Sequence, residues 1–189
     1  MKQILLLIII FFFNLSIHSL PIDLSDNWHV TNRWVLEETP KTSEWITLES
    51  LPLANVTSKL DFSENEVRQL TAYKTFLISD ADFKSVKNDA FSLHIPYISN
   101  VYKIYLNEIE ISSAGELEDS QITRSGYRRH IILRLDRDLI KFGQNSLRIL
   151  VAAEYGEELN IYKLHNDIPA KIDLASENQK INEEYFTYM

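Results

Sequence analysis

From Trp28 onward, apolar positions recur every second residue rather than every 3.6, the period of half-buried strands. Val101 to Gly115 states it most clearly. With a two-residue turn at Asn107-Glu108, Leu106 faces Ile109, Tyr105 faces Glu110 and Ile104 faces Ile111. One face of that hairpin is then wholly apolar, while Tyr105 and Glu110 share the wet face, and the pattern sets the register. Further strands are expected at Trp28–Val30, Arg33–Leu36, Trp45–Leu48, Tyr73–Ile78, Phe91–Ile95, His130–Leu135 and Leu147–Val151. Weaker candidates lie at Leu159–Tyr162 and Ala170–Leu174. Short strands separated by polar turns predict an all-β, antiparallel sandwich or barrel.

Helix signals are few. Ser63-Glu-Asn-Glu66 has the form of a capping box ahead of Val67 and Leu70, which predicts one short helix there. Ser176 is placed to cap a C-terminal helix sharing Ile181, Tyr185 and Tyr188 on one face. Asp136 to Gly143 predicts a turn or a single helical turn. Ser112 to Arg129 is the longest strand-free interval expected inside the domain, and such loops carry function more often than short ones.

The N-terminus departs from this pattern. Lys2 precedes an unbroken apolar run from Ile4 to Phe13, followed by a more polar stretch ending in small residues at Ser19. That layout predicts a signal peptide over 1–19, too short an apolar run to serve comfortably as a membrane span. Domain boundaries follow: a sandwich over 20–174, and a C-terminal linker with helical pattern over 175–189. The expected address is exported, periplasmic or extracellular, tethered through a downstream segment.

Composition narrows the chemistry. The 189 residues, 45% hydrophobic, are enough for one substantial core. A net charge of −8 argues against nucleic acid and anionic membranes as partners. The absence of Cys removes disulfides, thiolate catalysis and Cys-ligated zinc. His29, His94, His130 and His165 stand on separate elements, and His165-Asn-Asp167 reads as a solvated turn. No cofactor is expected. Acidic pairs at Glu37-Glu38, Glu116 to Asp119, Glu157-Glu158 and Glu183-Glu184 read as solvated surface, with a structural calcium as the alternative. No nucleophile elbow, phosphate loop or His-Glu-x-x-His occurs, so the chain by itself is read as non-catalytic.

The order of the pieces resembles a known pattern: Trp28 opening the domain, Tyr73-Lys-Thr-Phe76, Leu93-His-Ile95, the Val-Tyr-x-x-Leu-Asn hairpin from Val101 to Gly115, and Asn145-Ser-Leu-Arg-Ile149. It is similar to the galactose-binding-like jelly roll at the N-terminus of β-galactosidases and β-glucuronidases. The same fold occurs in the extracytoplasmic sensor domains of bacterial receptors with seven transmembrane helices and diverse intracellular signalling modules. The likeness covers Trp28 to Val151. It implies a jelly-roll sandwich with at most one or two short helices, in which this domain is not the catalytic one. Two departures matter. Glu108 stands where the family has Gly, which predicts a longer, non-primed turn, and a glycine-rich segment after the last core strand is replaced by Glu154-Tyr-Gly-Glu-Glu158.

Sugars and small polar ligands are bound by exposed rings and a few polar groups in loops at a sandwich edge. Arg124-Ser-Gly-Tyr-Arg-Arg129 sets Tyr127 beside Arg124, Arg128 and Arg129 in an otherwise acidic chain. It reads either as a binding lip for a carboxylate-bearing or hydroxyl-rich ligand, or as a loop whose Arg side chains pair with Glu116 to Asp119. Trp45 and Tyr97 are further candidate ligand-binding rings, whereas Trp28 and Trp34 are assigned to the core. Three functions follow. The first is a carbohydrate-binding-like sensing domain of a membrane signalling receptor, passing its signal to a downstream transmembrane partner. The second is a carbohydrate-binding accessory module of a glycoside hydrolase, and the third an envelope interaction protein without a small ligand.

Overall fold

The computed structural model describes residues 20–36, 40, 44–49, 60, 62, 67–86, 90–126, 128–154, 161–162, 170–174 and 176. The expected signal peptide, the 63–66 capping box, Tyr127, His165 and the C-terminal helical pattern beyond Ser176 lie outside those residues.

Thirteen strands are described: β1 (Ile22–Asp23), β2 (Trp28–Thr31), β3 (Ile46–Leu48), β4 (Val67–Ile78), β5 (Phe91–Ile98), β6 (Val101–Leu106), β7 (Ile109–Ala114), β8 (Glu116–Glu118), β9 (Gln121–Arg124), β10 (Arg128–Leu135), β11 (Gly143–Glu154), β12 (Ile161–Tyr162) and β13 (Lys171–Leu174). One sheet runs β3-β2-β4-β11-β6-β7, and the other β1-β13-β5-β10 with β12 also on β5; β8 and β9 pair alone. All pairings are antiparallel. The all-β sandwich read from the period-two pattern is the observed architecture.

The two sheets meet over one core. Trp28, Leu70, Ile104, Leu106, Leu147 and Ile149 from the six-stranded sheet pack with Phe91, Leu93, Ile95, Ile131 and Ile172 from the other. Alternation puts them there: Leu147, Ile149 and Val151 share a face of β11, and their partners Leu106, Ile104 and Tyr102 continue it on β6. Polar residues share this face, Lys74 and Asn145 among them. Lys74 is 5% exposed and reaches out of the core to Asp26, whose Oδ1 it meets at 2.8 Å. That hydrogen bond holds the Asp26 carboxyl below its usual value, against a smaller opposing effect of burial.

The hairpin departs from expectation in three respects. Tyr105 and Glu110, and Leu106 and Ile109, pair as read, but a bulge between Ile104 and Tyr105 sets Ile104 against Ser112 rather than Ile111. Ile109 is 50% exposed, because it starts an edge strand that nothing described covers. The turn is the two-residue kind after all, with positive φ at both Asn107 (48°) and Glu108 (68°). Tertiary contacts pin both turn residues. Asn107 Oδ1 accepts from Ser146 N at 3.0 Å, and Glu108 meets the buried Arg148 guanidinium at 3.2 Å.

The interval Ser112–Arg129 is not strand-free. It holds the end of β7, the β8–β9 hairpin and the start of β10. Only Leu117 and Ile122 are apolar in β8 and β9, too sparse for a period to show, and the turn between them uses positive φ at Asp119 and Ser120. Val67 and Leu70, expected on a helix, begin the twelve-residue β4 instead. A short helix, α1 (Asp80–Ser85), went unread; Ser79 caps it by accepting from Asp82 N at 3.1 Å. The single helical turn expected before Gly143 is a 3-10 turn at Arg137–Leu139.

Candidate functional site

Topology gathers part of the expected lip. Tyr97, half-buried near the end of β5, stands in register between Arg129 of β10 and Tyr162 of β12, and Ile98 stands between Arg128 and Ile161. The β9–β10 connection reaches the same end of the sandwich, where Gly126 N donates to Asn100 O just ahead of β6. Arg124 lies at the end of β9 and pairs with Glu116 at 2.7 Å, the alternative read for that cation. With side chains 67% and 48% exposed, this surface pair holds its partners weakly.

Trp45 is elsewhere. It is 8% exposed and packs with Val35 and Tyr73 on the outer face of the six-stranded sheet, edge-on to Tyr73 at 6.4 Å between ring centroids. Trp28 is in the core as expected, at 0% exposure. Trp34 is not. It lies half-buried on the outer face, donating from Nε1 to Val151 O at 2.9 Å and packing near Leu117, Ile122 and Val101. An indole with one satisfied N–H serves equally well in a segment laid over a sheet as in a core, so alternation alone could not separate the two placements.

That outer face carries an arrangement the sequence reading missed. Thr47, His29, Tyr73, Arg148, Tyr105 and Glu110 are successive cross-strand partners, one from each strand of the six-stranded sheet. Residues 33–35 are strapped over part of this face. Thr71 Oγ1 accepts from Val35 N at 2.9 Å and donates to Arg33 O at 2.6 Å, and Arg148 donates to Val35 O at 3.1 Å. Arg148 also lies over the Tyr73 ring at 5.5 Å, an environment in which a planar, weakly hydrated cation is tolerated.

Beyond the strap the face is open. Tyr105 Oη donates to Glu110 Oε2 at 3.0 Å, and Ser113 Oγ donates to Glu110 Oε1 at 2.7 Å. The Ser113 bond lowers the Glu110 pKa most, opposed by burial and helped by Tyr105 and the charge of Lys103. Tyr105 moves the other way, to about 12, chiefly through burial, then through the hydrogen bond and charge of Glu110. A raised phenol pKa favours the neutral form in the folded state. Its contribution to stability is complete below the ordinary value of 10.0 and lost as pH climbs towards about 12. Phenolate absorbance should therefore show a late-ionising component that Tyr105→Phe removes and Glu110→Gln brings to lower pH. An unchanged titration in Glu110→Gln would refute the coupling.

The signal for this row was present in outline, since Tyr105 opposite Glu110 was legible. Its extension through Arg148 to Tyr73 and His29 required knowing that β11 lies between β4 and β6, which no local pattern states. Among the described residues, no group of three or more His, Asp or Glu is disposed to hold a metal ion.

No protein-family model and no curated protein matches this sequence. Solved structures do resemble it. A glycosyl hydrolase family 2 member from Bacteroides cellulosilyticus superposes with a TM-score of 0.57 at 12% identity, over 82% of this chain and 20% of that one. A β-glycosidase from Bacteroides vulgatus gives 0.53 at 13%, over 82% and 20%. The β-glucuronidase of Bifidobacterium dentium gives 0.53 at 13%, over 70% and 20%. At such identities the likeness is one of fold, and the match spans about a fifth of each of these proteins.

Proposed function

We propose that this chain is a non-catalytic, carbohydrate-binding-like recognition domain that works outside the cytoplasm as the sensing part of a membrane signalling receptor. The observation that carries this reading is the polarity of β5. Tyr97 and Ile98, at one end, are registered with Arg129 and Arg128, whereas Phe91, at the other, is registered with Leu174, the last residue of β13. Seven residue steps at about 3.3 Å separate the two ends by roughly 23 Å. A ligand lip on one end and the close of β13 on the other suit a domain that binds distally and reports through its C-terminal segment. The sandwich shared with a fifth of several β-glycosidases supports a carbohydrate as the ligand class. The cations at 124, 128 and 129 favour one bearing a carboxylate.

The same likeness favours a second reading, an accessory module of a glycoside hydrolase. Coding sequence continuing past Met189 into several apolar spans supports the receptor; continuation into a βα-repeat barrel supports the hydrolase. For the ligand, thermal-shift screening of uronic-acid and neutral sugars should give a concentration-dependent stabilisation. The wild type should show it, and Tyr97→Ala and Arg129→Ala should lose most of it. Equal shifts in all three proteins would dismiss the lip.

A further inference from the structure

The open part of the outer face of the six-stranded sheet is polar, ringed and electrically balanced. From β4 it presents Thr75 and Leu77, from β11 Gln144 and Ser146, from β6 Tyr105, and from β7 Glu110 and Ser113. Thr75, Leu77, Gln144, Glu110 and Ser113 are exposed, and Ser146 and Tyr105 half-buried. Arg148, buried under the strap, and the Val35–Trp45–Tyr73 cluster close one side of it. Three inter-strand spacings make it roughly 14 Å wide, and the four steps from Tyr73 to Leu77 make it roughly 13 Å long.

Charge decides what such a surface takes. Glu108 is neutralised by Arg148 at 3.2 Å, and Glu110 lies within the field of Lys103. With Glu108 paired to Arg148 and the charge of Glu110 moderated by Lys103, the face holds little net charge to attract an acidic or basic ligand. It offers instead hydroxyls, an amide and oriented carboxylate oxygens. Both Glu110 oxygens are fixed by Tyr105 and Ser113, and each keeps a further lone pair for a donor from solution. The Tyr105 ring is pinned by its own hydrogen bond, so little side-chain freedom is lost on contact.

We propose that this face is a second binding site, taking a short neutral oligosaccharide, with Tyr105 as the ring against which a sugar packs and Glu110 as the acceptor of its hydroxyls. This site rests on the reading of the chain as a carbohydrate-recognition domain but stands apart from the cationic lip. Titration calorimetry with cello-, xylo-, manno- and malto-oligosaccharides, and with oligogalacturonate as the charged comparison, tests it on the whole chain.

Wild type should bind at least one neutral oligosaccharide more tightly than oligogalacturonate at this site. Tyr105→Ala should weaken that binding tenfold or more, and Glu110→Gln severalfold, both melting as cooperatively as wild type. Tyr105→Phe, which keeps the ring, should retain part of the affinity. Should Tyr105→Ala fold poorly, Glu110→Gln and the double variant Thr75→Ala/Gln144→Ala carry the same expectation. Neutral binding unchanged in Tyr105→Ala and Glu110→Gln but lost in Tyr97→Ala overturns this site and leaves the recognition reading standing. A wild type that binds none of these sugars overturns both.

Discussion

Gly126→Ala should destabilise the domain by about 3 kcal/mol, near the upper end of the usual cost of overpacking, and lower its melting temperature by roughly 6–12 °C. A Cβ built at Gly126 falls 2.6 Å from the Ala114 Cβ, and closer still to Gly115 N and the Ala114 carbonyl carbon. Two of these obstacles are backbone and cannot swing aside. Gly115 faces the same crowding, its own Cβ direction meeting Asn100 O at 2.5 Å and the Val101 Cα at 2.9 Å. Three chain segments therefore cross in backbone contact where β7 ends and β10 is about to begin. Gly143→Ala is the comparison. Its φ is +87° but nothing lies within 4 Å, so only the left-handed backbone is penalised, at about 1–2 kcal/mol. Chemical denaturation of both variants decides the matter: a Gly126→Ala loss no larger than that of Gly143→Ala would show that the crossing relaxes freely.

Asn145→Ala should cost about 2–3 kcal/mol. Asn145 is 1% exposed and makes four hydrogen bonds. It accepts from Asn107 Nδ2 and Lys141 N, each at 2.8 Å, and donates to Lys141 O at 2.7 Å and Gly143 O at 3.1 Å. Asn107 completes the bolt by donating to Leu139 O at 2.8 Å. Truncation strips partners from groups that are enclosed in the native state, at about 1–3 kcal/mol for each one that water cannot reach. Lys141 is exposed, so water recovers part of that loss. Asn107→Ala should be damaging for the same reason and also because alanine is less tolerant of its positive φ. A double-mutant cycle between the two should show strong non-additivity. Strictly additive losses would mean that the two amides act independently and that no bolt exists.

This bolt explains why the stretch Leu106-Asn107 and the stretch beginning at Asn145 occur together in the chain. They carry the resemblance to a known family, and their amide side chains hydrogen-bond to each other and to nearby backbone. Their side chains tie the β6–β7 turn to the loop entering β11, and they are scaffold. The likeness of sequence therefore pointed to the right fold through residues that stabilise it, which is also why it did not point to a site.

Legibility followed the strength of local pattern. Leu147 and Ile149 alternate with Ser146 and Arg148, and the Tyr105–Glu110 and Leu106–Ile109 pairings came from a turn only two residues long. Val67 and Leu70 belong to β4 rather than to the expected helix, because a polar Ser63-to-Glu66 run ahead of them imitates a helix start and the long-range pairing with β11 overrides that local preference. The β8–β9 hairpin escaped because each strand has one apolar residue. Arg148 was recognisable as the polar residue in an apolar strand, and alternation predicts such a residue to be solvated. It is 2% exposed because the 33–35 strap lies over it, and Val35 of that strap is held by Thr71 and by Arg148 itself, 36 and 113 positions away in the chain.

By itself, then, the order of amino acids determined most of the extended segments, which face of each is apolar, and that an antiparallel sandwich or barrel must close over one core, because burial of alternate side chains is a local property summed along the chain. The hairpin at Val101–Gly115 belongs to that class. Tertiary structure alone decided what happens on the opposite faces. Whether Arg148, Tyr73 and Trp45 are covered or open, and whether Tyr105 and Glu110 stand beside a neutralised charge or a free one, depends on which strands become neighbours and which loop crosses above them. Those are relations between residues far apart in sequence, set by sheet order and loop closure, and the surfaces proposed for recognition are built from them.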